Sequence, residues 1–382
     1  MQMRKSEKVS IIKTGSAPAE CDSYMNNGLD KPSCCGSKTS TSGGVMDEKV
    51  PGFQGWLSTD AGKVPRIGSR LTFVDHMGAC KARWGIGRMG YLVPAGLYAI
   101  GDPTPEDPVV VTANYKMSYD IVRRALTGRN VWLLVLETFG INVWCAAGKG
   151  TFGTDELVRR IDETGLTNLV THRRLILPIL GAPGVAAHEV TGRTGFSIRY
   201  GTIRATELPE YLDNGMVTTP AMRELTFSLY ERLVLVPVEI VHALKSLIIS
   251  GGIIYLAAML MAGSSAGSMA LAAFLGAFLT GLAIAPILLP WIPGRSFALK
   301  GALAGVVWCV IFYFITGGGW SPPVTVASFL ALPAVSAFYA LNFTGCTNFT
   351  SRTGVKKEMR IAFPVMGGAL LVSTLLLLAG RF

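Results

Sequence analysis

Residues Asn142-Val143-Trp144-Cys145-Ala146-Ala147-Gly148-Lys149 carry one thiol in an unusual setting. They follow Asn130-Val131-Trp132-Leu133-Leu134-Val135-Leu136, an apolar run long enough for a buried strand. Cys145 then falls on a turn that opens a helix. A helix N-terminus favours the thiolate form of a cysteine, which is the form that binds metals. The small residues after it leave room for something flat and large against the backbone. The pattern suits one thiolate approaching the face of a metal macrocycle. A buried structural cysteine is the competing reading, because free Cys is among the most buried residue types.

The surrounding elements bear on that choice. Pro108-Val109-Val110-Val111-Thr112 is a β-branched run that stops at Ala113-Asn114. Residues 115–126 then have helical spacing, with Tyr119, Val122 and Leu126 on one face. Thr154-Asp155-Glu156-Leu157 offers an N-cap and an acidic first turn for a helix reaching Glu163. Residues 168–170, 174–177 and 196–200 are expected strands, and Glu207 to Leu212 a short helix. Alternating strands and helices over residues 51–220 predict an α/β domain with a largely parallel sheet. Ligands of such sheets bind beyond the C-terminal strand ends. Asn114, Cys145 and Gly181-Ala182-Pro183-Gly184 all fall at such ends.

The rest of the chain is of another kind. Mean hydropathy over the 382 residues is +0.41. No Asp, Glu, Lys or Arg occurs from Ser246 to Gly294, from Gly301 to Ser351 or from Ile361 to Gly380. A span needs roughly 20 apolar residues. Glycine-rich breaks divide the first two runs, which predicts five spans: 246–262, 268–290, 299–316, 324–342 and 361–380. Residues 221–245 carry an apolar stripe (Leu225, Leu229, Leu233, Val236, Ile240, Leu244) and are expected to form an interfacial amphipathic linker helix. The first turns of a longer span are the alternative. Arg295, Lys300, Arg352, Lys356, Lys357 and Arg360 all fall in the loops after spans two and four. The positive-inside rule then puts those loops and the N-terminal domain in the cytoplasm, with a multi-pass inner-membrane location. This accounts for most of the +10 net charge, so the basic balance points to no nucleic-acid partner. Residues 1–50 are polar and Ser/Gly/Lys-rich, which predicts a disordered tail without a signal peptide.

Several motifs fail on context. Gly85-Ile86-Gly87-Arg88-Met89-Gly90 has dinucleotide-loop spacing, but Tyr91 to Gly96, with its proline and glycine, cannot be the helix that must follow. Gly148-Lys149 lacks the earlier glycine and following Ser/Thr of a phosphate loop. The four histidines have no metal-ligand spacing and are expected to be structural. None of the seven cysteines forms a C-x-x-C pair; Cys34-Cys35 could hold a soft metal, and Cys309 and Cys346 could pass one, though incidental roles suit them better. Gly301-x-x-x-Gly305 suggests a close helix contact.

The stretch from Glu137 to Thr154, with Cys145 at its centre, resembles the membrane-anchored corrinoid protein of microbial mercury methylation. Arg83–Met89, Val111–Lys116, Leu180–Glu189, Tyr200–Ala205 and, in the apolar half, residues 343–347 match as well. The likeness runs from about Pro51 to the C-terminus. The corrinoid domain is also similar to that of the corrinoid iron–sulfur protein of acetyl-CoA synthesis, where the position of Cys145 is not cysteine. The resemblance implies a Rossmann-like corrinoid-binding domain followed by an all-α five-span domain. It implies base-off cobalamin with the Cys145 thiolate as lower axial ligand of cobalt. Asn142, Val143 and Trp144 would shape the turn and the corrin edge, and Ala146, Ala147 and Gly148 would let the helix approach the ring. Lys149 would meet a corrin amide or the nucleotide phosphate, while Asn114, Gly181, Ala182 and Pro183 would hold the nucleotide tail or ring edge.

The implied activity is transfer of a methyl group from cobalt to mercury(II), giving methylmercury. A thiolate opposite the methyl would favour its transfer as a carbanion or radical. The implied partners are a two-cluster [4Fe-4S] ferredoxin that reduces cobalt and a methyl-donor methyltransferase system in an anaerobe. A methyl carrier of one-carbon metabolism without a mercury role is the alternative. A transporter is disfavoured, because apart from Lys300 at the edge of the third, the expected spans hold no Asp, Glu, Lys or Arg to form a pathway.

Overall fold

The computed structural model describes residues 50–343 and 352–380. The expected tail over residues 1–49, Cys34, Cys35, Cys346 and the matching stretch at 344–347 lie outside the described residues.

The N-terminal half is a mixed α/β domain built on a seven-stranded sheet ordered β1-β2-β3-β5-β4-β6-β7. The strands are β1 (Phe53–Thr59), β2 (Gly62–Ile67), β3 (Gly96–Ile100), β4 (Val109–Ala113), β5 (Val131–Leu136), β6 (Arg174–Leu177) and β7 (Ser197–Tyr200). β5, β4, β6 and β7 run parallel to one another and β2 runs parallel to β3, whereas β1 opposes β2 and β3 opposes β5. The sheet is therefore mixed at one side, not parallel throughout. The expected strand at 168–170 is instead the single helical turn α5 (Leu166–Leu169) followed by an extended residue. Leu166 and Leu169 both turn into the core, a spacing that a short strand reading overlooks.

Period-two alternation along the central strands feeds two cores. Val109, Val111, Trp132, Leu134, Leu175 and Leu177 face one side, where α3 (Val143–Lys149), α4 (Thr154–Glu163) and α6 (Ala187–Thr194) pack. Val110, Val131, Leu133, Val135 and Ile176 face the other, covered by α2 (Lys116–Ala125) and α7 (Leu208–Asp213). Thr154 is the first residue of α4, not its cap; its hydroxyl accepts from the Ala186 backbone N–H at 2.9 Å instead.

α1 (Phe73–Arg83) is tied to α2 by a buried ion network. Asp75 accepts from Lys116 at 2.5 Å and Arg123 at 2.9 Å, and Asp120 accepts from the same two cations. Burial works to raise the Asp75 pKa. Hydrogen bonds from Lys116 and from Thr72, the α1 cap, outweigh it and hold the carboxyl well below the usual carboxylate range. The network fixes the segment after α1, where the glycine-spaced stretch simply turns the chain. Gly85 and Gly87 have φ of +74° and +64°, and no helix follows Gly90. His172 is structural, its ring bonded to the Asp107 carbonyl and to the Arg174 N–H.

Among the described residues of the C-terminal half, five helices are long and apolar enough to cross a membrane: Leu229–Ala262, Ser264–Ile287, Phe297–Ile315, Pro322–Asn342 and Thr353–Ala379. Residues 229–245 form the first turns of a longer helix, the alternative to an interfacial linker over 221–245. α8 (Leu229–Ala262) runs unbroken from a Ser228/Glu231 capping box into the first span, and residues 221–223 form only a tight turn. The second span is α9 (Ser264–Leu279), widened at 280–284 and closed by α10 (Ala285–Ile287). Next come α11 (Phe297–Ile315), α12 (Pro322–Asn342) and α13 (Arg352–Ala379). Gly301 and Gly305 do bring two helices together: a Cβ on either would stand within 2.7 Å of α12 atoms. Cys309 is fully buried among Ala277 and Leu332.

Removing Arg123 leaves two buried carboxylates to share the single cation Lys116. Arg123→Met should destabilise the α/β half by about 3–5 kcal/mol, read as a lower urea midpoint in detergent. With the Asp75 pKa depressed, its contribution is full above about pH 4 and is lost as pH falls toward the folded-state value. Native protein should therefore lose this increment only in stronger acid, while Asp75→Asn should lack it at neutral pH.

Candidate functional site at the strand reversal

In chain order β4, β5, β6 and β7 occupy positions two, one, three and four of the parallel block. The chain leaves β4 toward β5 on one side and leaves β6 toward β7 on the other, which opens a crevice at the C-terminal ends of β4 and β6. Ligands of doubly wound sheets bind at such a reversal. A cavity of about 280 Å3 lies there. Val111, Thr112, Ile121, Val122, Ile176 and Leu208 line it, and Asn142, Val143 and Trp144 form part of its wall.

Asn114 ends β4 and is fully buried. Its side-chain N–H donates to Glu137 at 2.5 Å, and its oxygen accepts from the Thr138 N–H, the Thr138 hydroxyl and the Gly140 N–H. The side chain is thus spent inside the protein, holding the 137–141 turn, and it does not line the cavity. That turn contains two successive left-handed residues, Phe139 (φ 56°) and Gly140 (φ 71°). A non-glycine residue there costs about 1–2 kcal/mol. The Phe139 N–H bond to Glu137 at 2.8 Å helps offset it. Glu137 is in turn held by its own N–H donating to Glu156 of α4 at 2.8 Å. Burial raises the Glu156 pKa, but bonds from Arg159, the Glu137 N–H and Arg160 lower it overall, so the anchor stays charged.

The turn delivers α3. Asn142 is its N-cap, accepting from the Cys145 N–H at 2.9 Å. Gly150 (φ 83°) closes it in the left-handed conformation that glycine tolerates best. The helix presents two faces. Ala146 and Ala147 point into the core, at 0% and 5% exposure, and are not available to a ring. Cys145, Gly148 and Lys149 are exposed, and their i, i+3, i+4 spacing makes one strip. A Cβ on Gly148 would meet nothing within 4 Å, so open space adjoins the thiol. Lys149 forms no ion pair or side-chain hydrogen bond with the described residues. Cys145 is therefore not a buried structural cysteine.

The 179–184 loop packs on the inner side of α3. Gly184 is the decisive residue: a Cβ there would lie 2.1 Å from the Phe152 carbonyl oxygen and 2.9 Å from the Ala147 Cα. Gly181 meets the Phe152 ring in the same way. Gly181, Ala182 and Pro183 support α3 but do not line the cavity, whereas Pro178 and Leu180 do. Sequence reasoning missed Thr112, Ile176, Pro178 and the Thr202–Leu208 wall. Thr112, polar within an apolar strand, was the one available clue. A second groove, about 340 Å3, separates Trp144 from Tyr230 and Val234 on α8.

This domain has known relatives. Residues 88–212 match the family model described as CdhD: CO dehydrogenase/acetyl-CoA synthase delta subunit. The chain is also similar to acetyl-CoA decarbonylase/synthase complex subunit gamma of Methanopyrus kandleri, 36% identical over 123 residues, 32% of this chain and 26% of the relative. The Archaeoglobus fulgidus subunit is 35% identical over 123 residues, with the same shares. That of Methanocaldococcus jannaschii is 32% identical over 124 residues, 32% of this chain and 25% of the relative. The chain thus spans about a quarter of the length of the relatives it matches.

Two substitutions separate the supports of the thiol. Asn114→Ala leaves buried N–H groups unpaired and should cost about 3 kcal/mol. Asn142→Ala removes a cap and should cost about 1 kcal/mol. Urea unfolding followed by tryptophan fluorescence would rank them; equal and negligible losses would contradict the hydrogen-bond assignment.

Proposed function

We propose that the chain is a membrane-anchored corrinoid methyl-transfer protein. The observation that carries this reading is the exposed strip Cys145–Gly148–Lys149 beside the crevice at the β4/β6 reversal. The residues present fit a corrinoid. The strip offers a soft donor, an unobstructed position one turn further on, and an adjoining apolar slot of the right character for a flat base. The similarity of residues 88–212 to the acetyl-CoA synthase family supports the same reading.

When bound, the cobalt of the cofactor would carry the methyl group. Cys145 would supply the lower axial thiolate with the cofactor's own base displaced. Gly148 would leave flat space beside it, and Trp144 would pack at the ring edge. Asn142 and Val143 would border the slot, and Lys149 would meet a corrin amide or phosphate. Asn114 and Gly181-Ala182-Pro183 would act by position, and Ala146 and Ala147 by seating the helix. The basic loops support a cytoplasmic location for this domain by the positive-inside rule. A two-cluster ferredoxin as reductant and a methyl-donor methyltransferase are the partners the reading calls for.

The acceptor has two readings. The relatives favour a methyl carrier of the acetyl-CoA type, which hands the methyl to another subunit of a complex. Mercury(II) is the second, and the exposed Cys145 favours it. A thiolate donating electrons to the metal suits an electrophilic acceptor that takes the methyl with its electrons.

Anaerobic full-length protein loaded with methylcobalamin and given thiol-bound mercury(II) should separate these in a single turnover. Methylmercury formed well above the rate of free methylcobalamin supports the mercury reading, and corrinoid binding without that gain supports the carrier. Failure to bind any corrinoid would sink both. Gly148→Leu should leave stability within about 1 kcal/mol, because it adds helix propensity in open space, yet weaken corrinoid binding at least about tenfold. Cys145→Ala should retain some corrinoid but lose transfer to mercury(II).

A further inference from the structure

We propose that the helical half holds an anionic phospholipid between α11, α12 and α13. A cavity of about 960 Å3 lies there, near the upper end of the ~300–1,000 Å3 typical of ligand sites. Its wall is apolar and built from small residues, with Ala302, Ala334 and Ala337 leaving the space that larger side chains would fill. Along α13 it runs from Gly354 to Ala369, about 22 Å at 1.5 Å per residue. That is enough to pass from the headgroup level through the ~15 Å half-thickness of a hydrocarbon core. An acyl chain is the ligand whose shape and chemistry match such a slot.

The mouth selects the headgroup. Arg295 and Lys357 stand there, both exposed, and neither forms an ion pair with a described residue. The acid at the mouth forms no ion pair with either of them. Glu358 is engaged in capping α11, accepting from the Ser296 hydroxyl and the Ala298 N–H, each at 2.7 Å. Two cations that pair with no described residue, over an apolar slot, are complementary to a phosphate ester with acyl chains. The site stands apart from the Cys145 strip and does not depend on the corrinoid reading.

Full-length protein would be reconstituted in nanodiscs of equimolar phosphatidylglycerol and phosphatidylcholine, extracted into mild detergent, and weighed intact with its retained lipid. Native protein should retain phosphatidylglycerol in preference, and each of R295Q and K357Q should weaken that preference about fivefold. Ala302→Phe, which fills the slot and leaves both cations, should lose retained lipid of either kind. Circular dichroism checks that each variant stays helical. Equal retention of the two lipids by native protein would overturn the proposal, as would phosphatidylglycerol retention unchanged in the charge variants or in Ala302→Phe.

Discussion

Asn114 is a buried amide whose hydrogen-bonding groups have nowhere else to go, and the position of the thiol follows from that. β4 and β5 end in register, Ala113 beside Leu136, so the Asn114 side chain meets the chain just as it leaves β5. Each unpaired buried donor there would cost about 1–3 kcal/mol. The 137–141 turn therefore keeps its two left-handed residues instead of relaxing. The same turn sets Asn142 as a cap, and the cap sets which face of a seven-residue helix looks outward. A thiol that would normally be buried is held in the open by a network that never touches it.

The two halves are joined by more than a tether. α8 carries the chain from the α/β domain into the apolar half without a break, capped where it begins. Arg204 bonds to Glu231 on its first turn, and Gly85 packs against Val241 nearly three turns further on. Arg232 reaches the Ile287 carbonyl at the end of the second span. Trp144, the residue before Cys145, thus looks across a groove toward α8.

The sequence announced those elements whose pattern is strong within one window. β4, β5 and β6 are compact, mainly apolar runs, α2 and α4 have clean helical spacing, and long charge-free runs mark the spans. β1 and β2 form an edge hairpin with alternate residues half exposed, so no apolar run marked them. β3 is five residues behind a proline, and α6 is polar with a glycine inside. The linker misled because its apolar stripe is the same whether the helix lies on a membrane or continues into it. Of the site, the Cys145 motif was legible as chemistry, but which face each residue takes was not. Ala146 and Ala147 turned inward because Gly184 lets a loop press on them, a contact across some forty residues of chain. The cavity itself depends on strand order, which no local pattern contains.

The central claim is that Cys145 binds the cobalt of a corrinoid. Cobalt K-edge X-ray absorption of the anaerobic, cobalamin-loaded full chain tests it most directly. The account predicts one sulfur scatterer in the cobalt shell of native protein, missing in Cys145→Ala. A shell of nitrogen and oxygen alone, the same in both proteins, would contradict it.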